Sequence, residues 1–185
     1  MINLAFVKKW AGRYPVAYDV TYYDPYLQDA RAGDEEALLR VTEWKNPGKG
    51  GKPMGRLAQN KRRAFDRFLL RKNVYLGAGG SKLLRLDFCD SAPVYSIFWH
   101  HVLFGTPIFD VHTNRAFHWF QCRKYMSHRT SAIPRRGHWR LYDEYVSWFN
   151  GGLEKLRLED EKFDPRDLDR ALFQWGIHHK DKKPI

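Results

Sequence analysis

Apolar side chains recur three or four residues apart along most of the chain, which is the spacing of one face of an α-helix. In the N-terminal half the clearest pattern begins at Asp34, a favoured N-cap residue. Leu38, Val41 and Trp44 then share one helix face. Asn46-Pro47-Gly48 is predicted to end this helix, and a basic loop rich in glycine follows it.

Further helices are predicted up to the middle of the chain. One covers 57–72 and a short one covers 82–88. The next helix is predicted to start with Ser91 as its N-cap and Pro93 in its first turn. By contrast, the tyrosine-rich segment 14–26 alternates only in part, which fits either a loop or a short strand.

The segment Pro107-Ile108-Phe109-Asp110 connects two helical patterns and delivers a single carboxylate. Because a proline fixes the entry and Asp is a favoured N-cap, we expect Asp110 to sit on the free amides of a helix that begins at Val111. The positive end of the helix dipole then favours the ionised carboxylate and holds it in one direction. A simple helix cap and a catalytic carboxylate are the two interpretations of this residue.

The C-terminal part of the chain predicts two more helices. The first is aromatic, covers 141–149 and is predicted to end at Asn150-Gly151-Gly152. In the second, Asp164 is the predicted N-cap, Pro165 takes the first helical position and Gly176 closes the helix. Together these patterns predict an all-α fold of about eight to ten helices.

The charge of the chain adds information about partners. The net charge is +11 and the isoelectric point is near 9.7, which favours a polyanion partner. No basic amphipathic helix or lipidation signal favours a membrane surface, so we expect DNA rather than a membrane. We further expect a cytoplasmic, nucleoid-associated monomer without cofactor or metal, since Cys89 and Cys122 are too few for a four-thiolate site.

Three segments together resemble the helix-hairpin-helix DNA glycosylase superfamily, the relatives of endonuclease III and of the 8-oxoguanine glycosylases. The first is Phe109-Asp110-Val111-His112-Thr113-Asn114-Arg115, which is similar to the Val-Asp-Thr-His-Val-x-Arg element of that superfamily. Two more are similar to a small bacterial group with an 8-oxoguanine-glycosylase-like fold. They are Glu43-Trp44-Lys45-Asn46-Pro47-Gly48-Lys49 and the C-terminal stretch Arg166-Asp167-Leu168-Asp169-Arg170-Ala171-Leu172-Phe173-Gln174-Trp175-Gly176.

The resemblance implies one glycosylase-like helical domain over 1–185 that excises a damaged or modified base from DNA. It implies two closely packed lobes, namely 1–80 with the C-terminal helices, and 81–137. Asp110 is then the catalytic carboxylate. The expected substrate- and DNA-binding residues are His112, Arg115, Trp44, Lys45, Ser91, Ala92, Arg129, Arg135 and Arg136.

These residues have different expected roles. His112 and Arg115 lie within about one helical turn of Asp110 and either orient it or bind phosphate. Trp44 and Lys45 either line the base pocket or, for Trp44, belong to the core. The three arginines at 129, 135 and 136 either contact the phosphates along the DNA backbone or are simply solvated surface charges.

The chain departs from the superfamily pattern at the hairpin. The segment Phe88-Cys89-Asp90-Ser91-Ala92-Pro93 has no glycine and includes an acid, although the amides of Ser91 and Ala92 remain candidates for gripping a phosphate. The following helix starts Pro93-Val94-Tyr95-Ser96, without the Schiff-base lysine of bifunctional members. An amine nucleophile is required for the lyase step, so a monofunctional enzyme is expected.

Two other classes of function compete with this one. His100, His101, Asp110, His112 and His118 lie within nineteen residues and suggest a metal-dependent nuclease, although they match no known ligand spacing. A DNA-binding protein of the glycosylase fold that lacks catalysis is the other alternative, because it would show the altered hairpin and the missing lysine.

Overall fold

The computed structural model describes residues 2–45, 59–127 and 129–181, and these form eleven α-helices and no strand. The described part of the chain is therefore all-α, as its apolar spacing predicts. The helices are α1 (Leu4–Ala11), α2 (Val16–Tyr22), α3 (Asp24–Arg31), α4 (Glu35–Trp44), α5 (Gln59–Leu70), α6 (Lys72–Leu76), α7 (Gly80–Asp87), α8 (Pro93–Phe104), α9 (Val111–Cys122), α10 (His138–Glu159) and α11 (Pro165–His178).

The chain divides into two compact units. The first unit consists of Met1–Tyr14 and Pro107–Ile185, and contains α1 and α9 to α11. The second unit is the continuous segment Pro15–Thr106, which contains α2 to α8. The boundaries of these units differ from those of the two lobes that the resemblance implies, which are 1–80 with the C-terminal helices, and 81–137.

The second unit is built around α8, which is buried along most of its length. Trp99 on this helix is fully buried, and its ring centroid lies 4.5 Å from that of Phe68 on α5. The indole N–H donates to the hydroxyl of Thr42 on α4 at 3.2 Å, so its polar atom is satisfied inside the core. A helix that is apolar on all sides is expected at the centre of such a unit.

In the first unit, α11 packs against both α1 and α9. Its apolar stripe of Leu168, Ala171, Leu172 and Trp175 is buried. At Gly176 the backbone of α11 comes so close to α9 that an added Cβ would overlap the carbonyl group of His112. This close approach sets the spacing between the two helices.

Two predicted helix starts are confirmed. The Asp34 side chain accepts a hydrogen bond from the amide of Ala37 at 2.8 Å. Asp164 likewise accepts from the amide of Arg166 at 2.9 Å, and Pro165 is the first helical residue. Both are the side-chain capping geometry that leaves fewer amides unsatisfied at a helix start.

Other local predictions are wrong. The segment 14–26 is neither loop nor strand, since α2 and the start of α3 occupy it. The N-cap of α8 is Ala92 in a left-handed conformation (φ 46°), not Ser91. The Ser91 hydroxyl accepts a hydrogen bond from Arg67 at 2.6 Å, and no side chain caps an amide of this helix.

Two glycine positions also differ from expectation. Helix α10 continues through Gly151 and Gly152 to Glu159, since both glycines keep helical geometry and the buried Leu156 extends the packed face beyond them. Likewise α11 continues past Gly176 to His178. The predicted loop 46–55 and the first two residues of the helix predicted at 57–72 lie outside the described residues.

Within the described helices, none combines the length and apolar character that crossing a bilayer requires.

Candidate active site

Asp110 lies at the start of α9, at the end of an extended segment. Its Oδ1 accepts hydrogen bonds from the amides of His112 at 2.8 Å and Thr113 at 3.0 Å. In return the Asp110 amide donates to the hydroxyl of Thr113 at 2.7 Å, which completes a capping box that the sequence analysis did not anticipate. The predicted N-cap is therefore confirmed, and Asp110 is a buried residue with 6% of its surface exposed.

The segment before Asp110 is fixed against α10. Phe109 is fully buried, and its ring centroid lies 4.6 Å from that of Tyr145. The hydroxyl of Tyr142 donates to the carbonyl of Pro107 at 3.0 Å. These contacts hold the backbone on the N-terminal side of the carboxylate, while the amides of α9 hold the carboxylate itself.

A second acid, Asp169 on α11, belongs to the same site and was missed from the sequence. The residue keeps some exposed surface, but its carboxyl group is buried. The amide of Ile108 donates to this carboxyl group, and the Tyr145 hydroxyl approaches its Oδ1 at 3.5 Å. Asp169 follows Leu168 at the edge of the apolar stripe of α11, which was the available sequence signal.

The electrostatics of the two acids are coupled. Burial is the largest cause that raises the pKa of Asp169, to about 8, and the negative charge of Asp110 acts in the same direction. The Ile108 amide, Arg166 and Tyr145 oppose that rise in the pKa. Burial also raises the pKa of the Tyr145 hydroxyl well above its usual value. Burial therefore favours the protonated, neutral form of both side chains.

His112 and Arg115 lie beside Asp110 on α9, as predicted. Arg115 has no exposed surface, and its guanidinium donates to the carbonyl of Gly176 at 2.6 Å and to the hydroxyl of Ser131 at 2.8 Å. It also lies 3.3 Å from Nδ1 of His112, which fits an acceptor nitrogen on that ring. A side chain without exposed surface cannot touch a DNA phosphate, so this part of the expectation for Arg115 is corrected. Its attraction to Asp110, which opposes the lowering of the Arg115 pKa by burial, fits the orienting role instead.

Ser91 and Ala92 form the connection between α7 and α8 in the second unit. The Ser91 amide donates to the carbonyl of Phe88 at 3.4 Å, so it is engaged within the turn. The first turn of α8 has no side-chain cap. Two cations lie at this end of the helix: Arg67 contacts the Ser91 hydroxyl, and the Lys61 ammonium lies 5.3 Å from the ring centroid of Tyr95.

Trp44 and Lys45 also lie in the second unit. Trp44 is half-buried, and its ring centroid lies 4.4 Å from that of Tyr23 and 5.9 Å from that of Phe98. The Lys45 ammonium lies 5.7 Å from the ring centroid of Phe98. This aromatic cluster gives Trp44 a core contact and leaves part of its surface accessible, so both interpretations of Trp44 remain.

Arg129, Arg135 and Arg136 are exposed in the connection between α9 and α10. Their exposure is compatible with contacts to a DNA backbone and with a solvated charge run alike.

The five residues that suggested a metal site do not converge. His100 and His101 lie in the second unit, where His100 contacts the hydroxyls of Ser81 and Thr106 and His101 contacts the Tyr23 hydroxyl. Burial is the largest cause that lowers the pKa of His100, to about 4. Across the described residues, no three or more His, Cys, Asp or Glu side chains are grouped so that they could hold a metal ion. Within the described part of the chain, these five residues therefore form no metal-ligand set.

Comparison of the chain with protein-family models, with curated proteins and with solved structures finds no match in any of the three. The resemblance to the glycosylases therefore depends on the quoted motifs alone.

Proposed function

We propose that the protein has a helix-hairpin-helix glycosylase fold and excises a damaged or modified base from DNA by hydrolysing its N-glycosidic bond. One observation carries this proposal. A single carboxylate, Asp110, is fixed by two backbone amides at the start of α9, within the segment that resembles the catalytic element of the superfamily.

The chemistry begins with a nucleotide that leaves the base stack, which costs a few kcal/mol. Cleavage of the bond between sugar and base builds positive charge on the sugar, as in glycoside hydrolysis. An anion in a poorly hydrated setting stabilises such a cation more strongly than one in water does. Asp110 supplies this anion and orients or deprotonates the attacking water.

The amides that hold Asp110 do not neutralise it. Both bind the same oxygen, Oδ1, and both belong to the first turn of α9, whose dipole favours a negative charge. The helix dipole thus favours the ionised carboxylate, and the two amides fix its direction before a substrate arrives. Such prior organisation avoids a reorganisation cost during the reaction.

DNA binding in this proposal uses the cationic surfaces of the chain. In the first unit these are the exposed arginines 129, 135 and 136. In the second unit the start of α8, which has no side-chain cap, lies beside Arg67 and Lys61. The aromatic cluster around Trp44 is the candidate stacking surface for a base.

The proposed enzyme releases the base without cutting the strand. The first four residues of α8, Pro93 to Ser96, contain no lysine, whereas bifunctional members of the superfamily place their amine nucleophile there. Without that amine no Schiff base forms with the sugar. The product is an intact strand with an abasic site.

The test is a panel of duplexes that each carry one oxidised, alkylated, deaminated, mismatched or hypermodified base. Wild-type protein is expected to release the base from at least one class and to leave a site that hot alkali converts into a strand break. Strand cleavage without alkali would contradict the monofunctional reaction. Release of no base across the panel would overturn the glycosylase proposal.

A second candidate is a DNA-binding protein of this fold without catalysis. Two observations favour it: the low exposure of Asp110, and Ala92 rather than a glycine at the left-handed position before α8. The same panel separates the two, because tight duplex binding with no base release would support the second candidate.

A further inference from the structure

The extended segment that carries Asp110 is also held at Ile108, two residues before the carboxylate. The amide of Ile108 donates to the carboxyl group of Asp169 on α11. Tyr145 on α10 approaches the same carboxyl group at 3.5 Å, and its ring packs on Phe109. Residues 108, 109 and 110 are therefore each held by a separate contact: Asp169, Tyr145 and the amides of α9.

The register of α11 supports this arrangement. Asp169 and Gly176 are seven residues apart and so lie on the same helix face. Gly176 packs against the backbone of His112 on α9. One face of α11 thus reaches the chain on both sides of Asp110, at residue 108 and at residue 112.

Asp110 and Asp169 have different surroundings. Asp110 accepts two backbone amides at a helix start, which favours its ionised form. The carboxyl group of Asp169 is buried, and the charged or titratable groups that act on it are Asp110, Tyr145 and Arg166. When the surroundings of two neighbouring acids differ in this way, one stays ionised and the other keeps its proton.

We propose that Asp169 is a positioning residue for base release, which fixes the segment that carries Asp110 through its contacts with the Ile108 amide and the Tyr145 hydroxyl. This inference rests on the proposed glycosylase function. Above about pH 8 Asp169 loses its proton to solvent, because its pKa is raised to about 8. Two like charges then repel each other, which opposes the position in which the amides of α9 hold Asp110.

The first measurement is independent of activity. In protein with ¹³C-labelled aspartate, the Asp169 carboxyl signal, assigned by its loss in Asp169→Asn, is expected to titrate near pH 8. In Asp110→Asn its midpoint is expected to move to lower pH, because the neighbouring negative charge is gone. A midpoint in the ordinary acidic range, or one that Asp110→Asn leaves unmoved, would overturn the inference.

The second measurement is the pH profile of single-turnover base release from the duplex that wild-type protein processes in the panel. The wild-type rate is expected to fall about tenfold per pH unit above about pH 8. Asp169→Asn cannot ionise, so its rate of base release is expected not to decrease above pH 8. Asp169→Ala, which also removes the acceptor of the Ile108 amide, is expected to lower the rate at pH 7 by about a hundredfold.

Asp167→Asn is the matched control. It makes the same chemical change on the same helix, at a side chain that is 47% exposed, and it is expected to keep the wild-type alkaline fall. If wild-type protein releases base but Asp169→Asn keeps the fall, the inference about Asp169 is wrong and the proposed function stands. If wild-type protein releases no base, the proposed function fails, and the role of Asp169 in it fails too.

Discussion

Arg115 organises the residues around the candidate carboxylate from inside the first unit. Its guanidinium donates to three groups on separate parts of the chain: the carbonyls of Met126 and Gly176 and the hydroxyl of Ser131. It therefore ties α9 to α11 and to the connection that follows α9. A buried guanidinium is stable only with such partners, because an unpaired buried charge is costly.

Replacing Arg115 tests this structural role. Arg115→Met keeps an apolar stem of similar length but leaves three acceptors without their donor. We expect the free energy of unfolding to fall by about 3 kcal/mol or more, measured by urea denaturation. Arg136→Met removes an exposed arginine from the same unit and is expected to change it by less than about 0.5 kcal/mol. Equal stability of the two variants would contradict the role assigned to Arg115.

At the scale of single residues, the sequence predicts contacts between residues that lie close together along the chain. Asp110 was predicted as an N-cap because its cap partners lie two and three residues away. The burial of Arg115 depends on Gly176, which is sixty-one residues away, and the contact of Asp169 depends on Ile108. Neither contact produces a local pattern, so the sequence could not decide between the orienting and phosphate-binding alternatives for Arg115, and Asp169 was missed.

At the scale of elements, the contact between α9 and α11 places the candidate site. Gly176 allows the two helix backbones to meet where α9 begins. The same helix carries Asp169 two turns earlier. A change in the spacing of these helices would therefore move the amides that hold Asp110.

Gly176→Ala is expected to separate the two helices. The added Cβ would overlap a backbone carbonyl, which cannot move aside as a flexible side chain can. We expect a loss of about 1–3 kcal/mol in the free energy of unfolding, together with shifted amide NMR signals for His112 and Thr113.

Gly151→Ala on α10 is the matched control. An added Cβ there meets no atom within 4 Å, and alanine favours a helix interior by about 0.5–1 kcal/mol over glycine. This variant is expected to be more stable than the wild type. A Gly176→Ala protein that gains stability in the same way would contradict the close approach of α9 and α11.

The two glycine predictions show why element ends are hard to predict. Glycine ends a helix when its backbone turns left-handed, as at Gly105 after α8 (φ 66°). Gly151, Gly152 and Gly176 instead stay within their helices, because the packed faces continue beyond them. By contrast, the starts at Asp34 and Asp164 were predicted correctly, since a side-chain cap is a local interaction.

At the scale of the whole molecule, the proposed function assigns DNA affinity and base release to different features of the chain. For the proposed function, the net charge of +11 would supply attraction to DNA that does not depend on any single residue. The proposed base release would depend on one negative charge, that of Asp110. A variant that removes this charge should therefore separate the two properties: DNA binding should persist, and base release should stop.

The most direct test is single-turnover base release by Asp110→Asn alongside its affinity for the same duplex. Asparagine is also a favoured N-cap, so α9 should keep its start while the charge is lost. We expect the rate to fall at least about a hundredfold, with DNA affinity unchanged or higher. Asp143→Asn, which makes the same change at an exposed position of α10, should keep the wild-type rate. An Asp110→Asn protein that releases base as fast as the wild type would contradict the account.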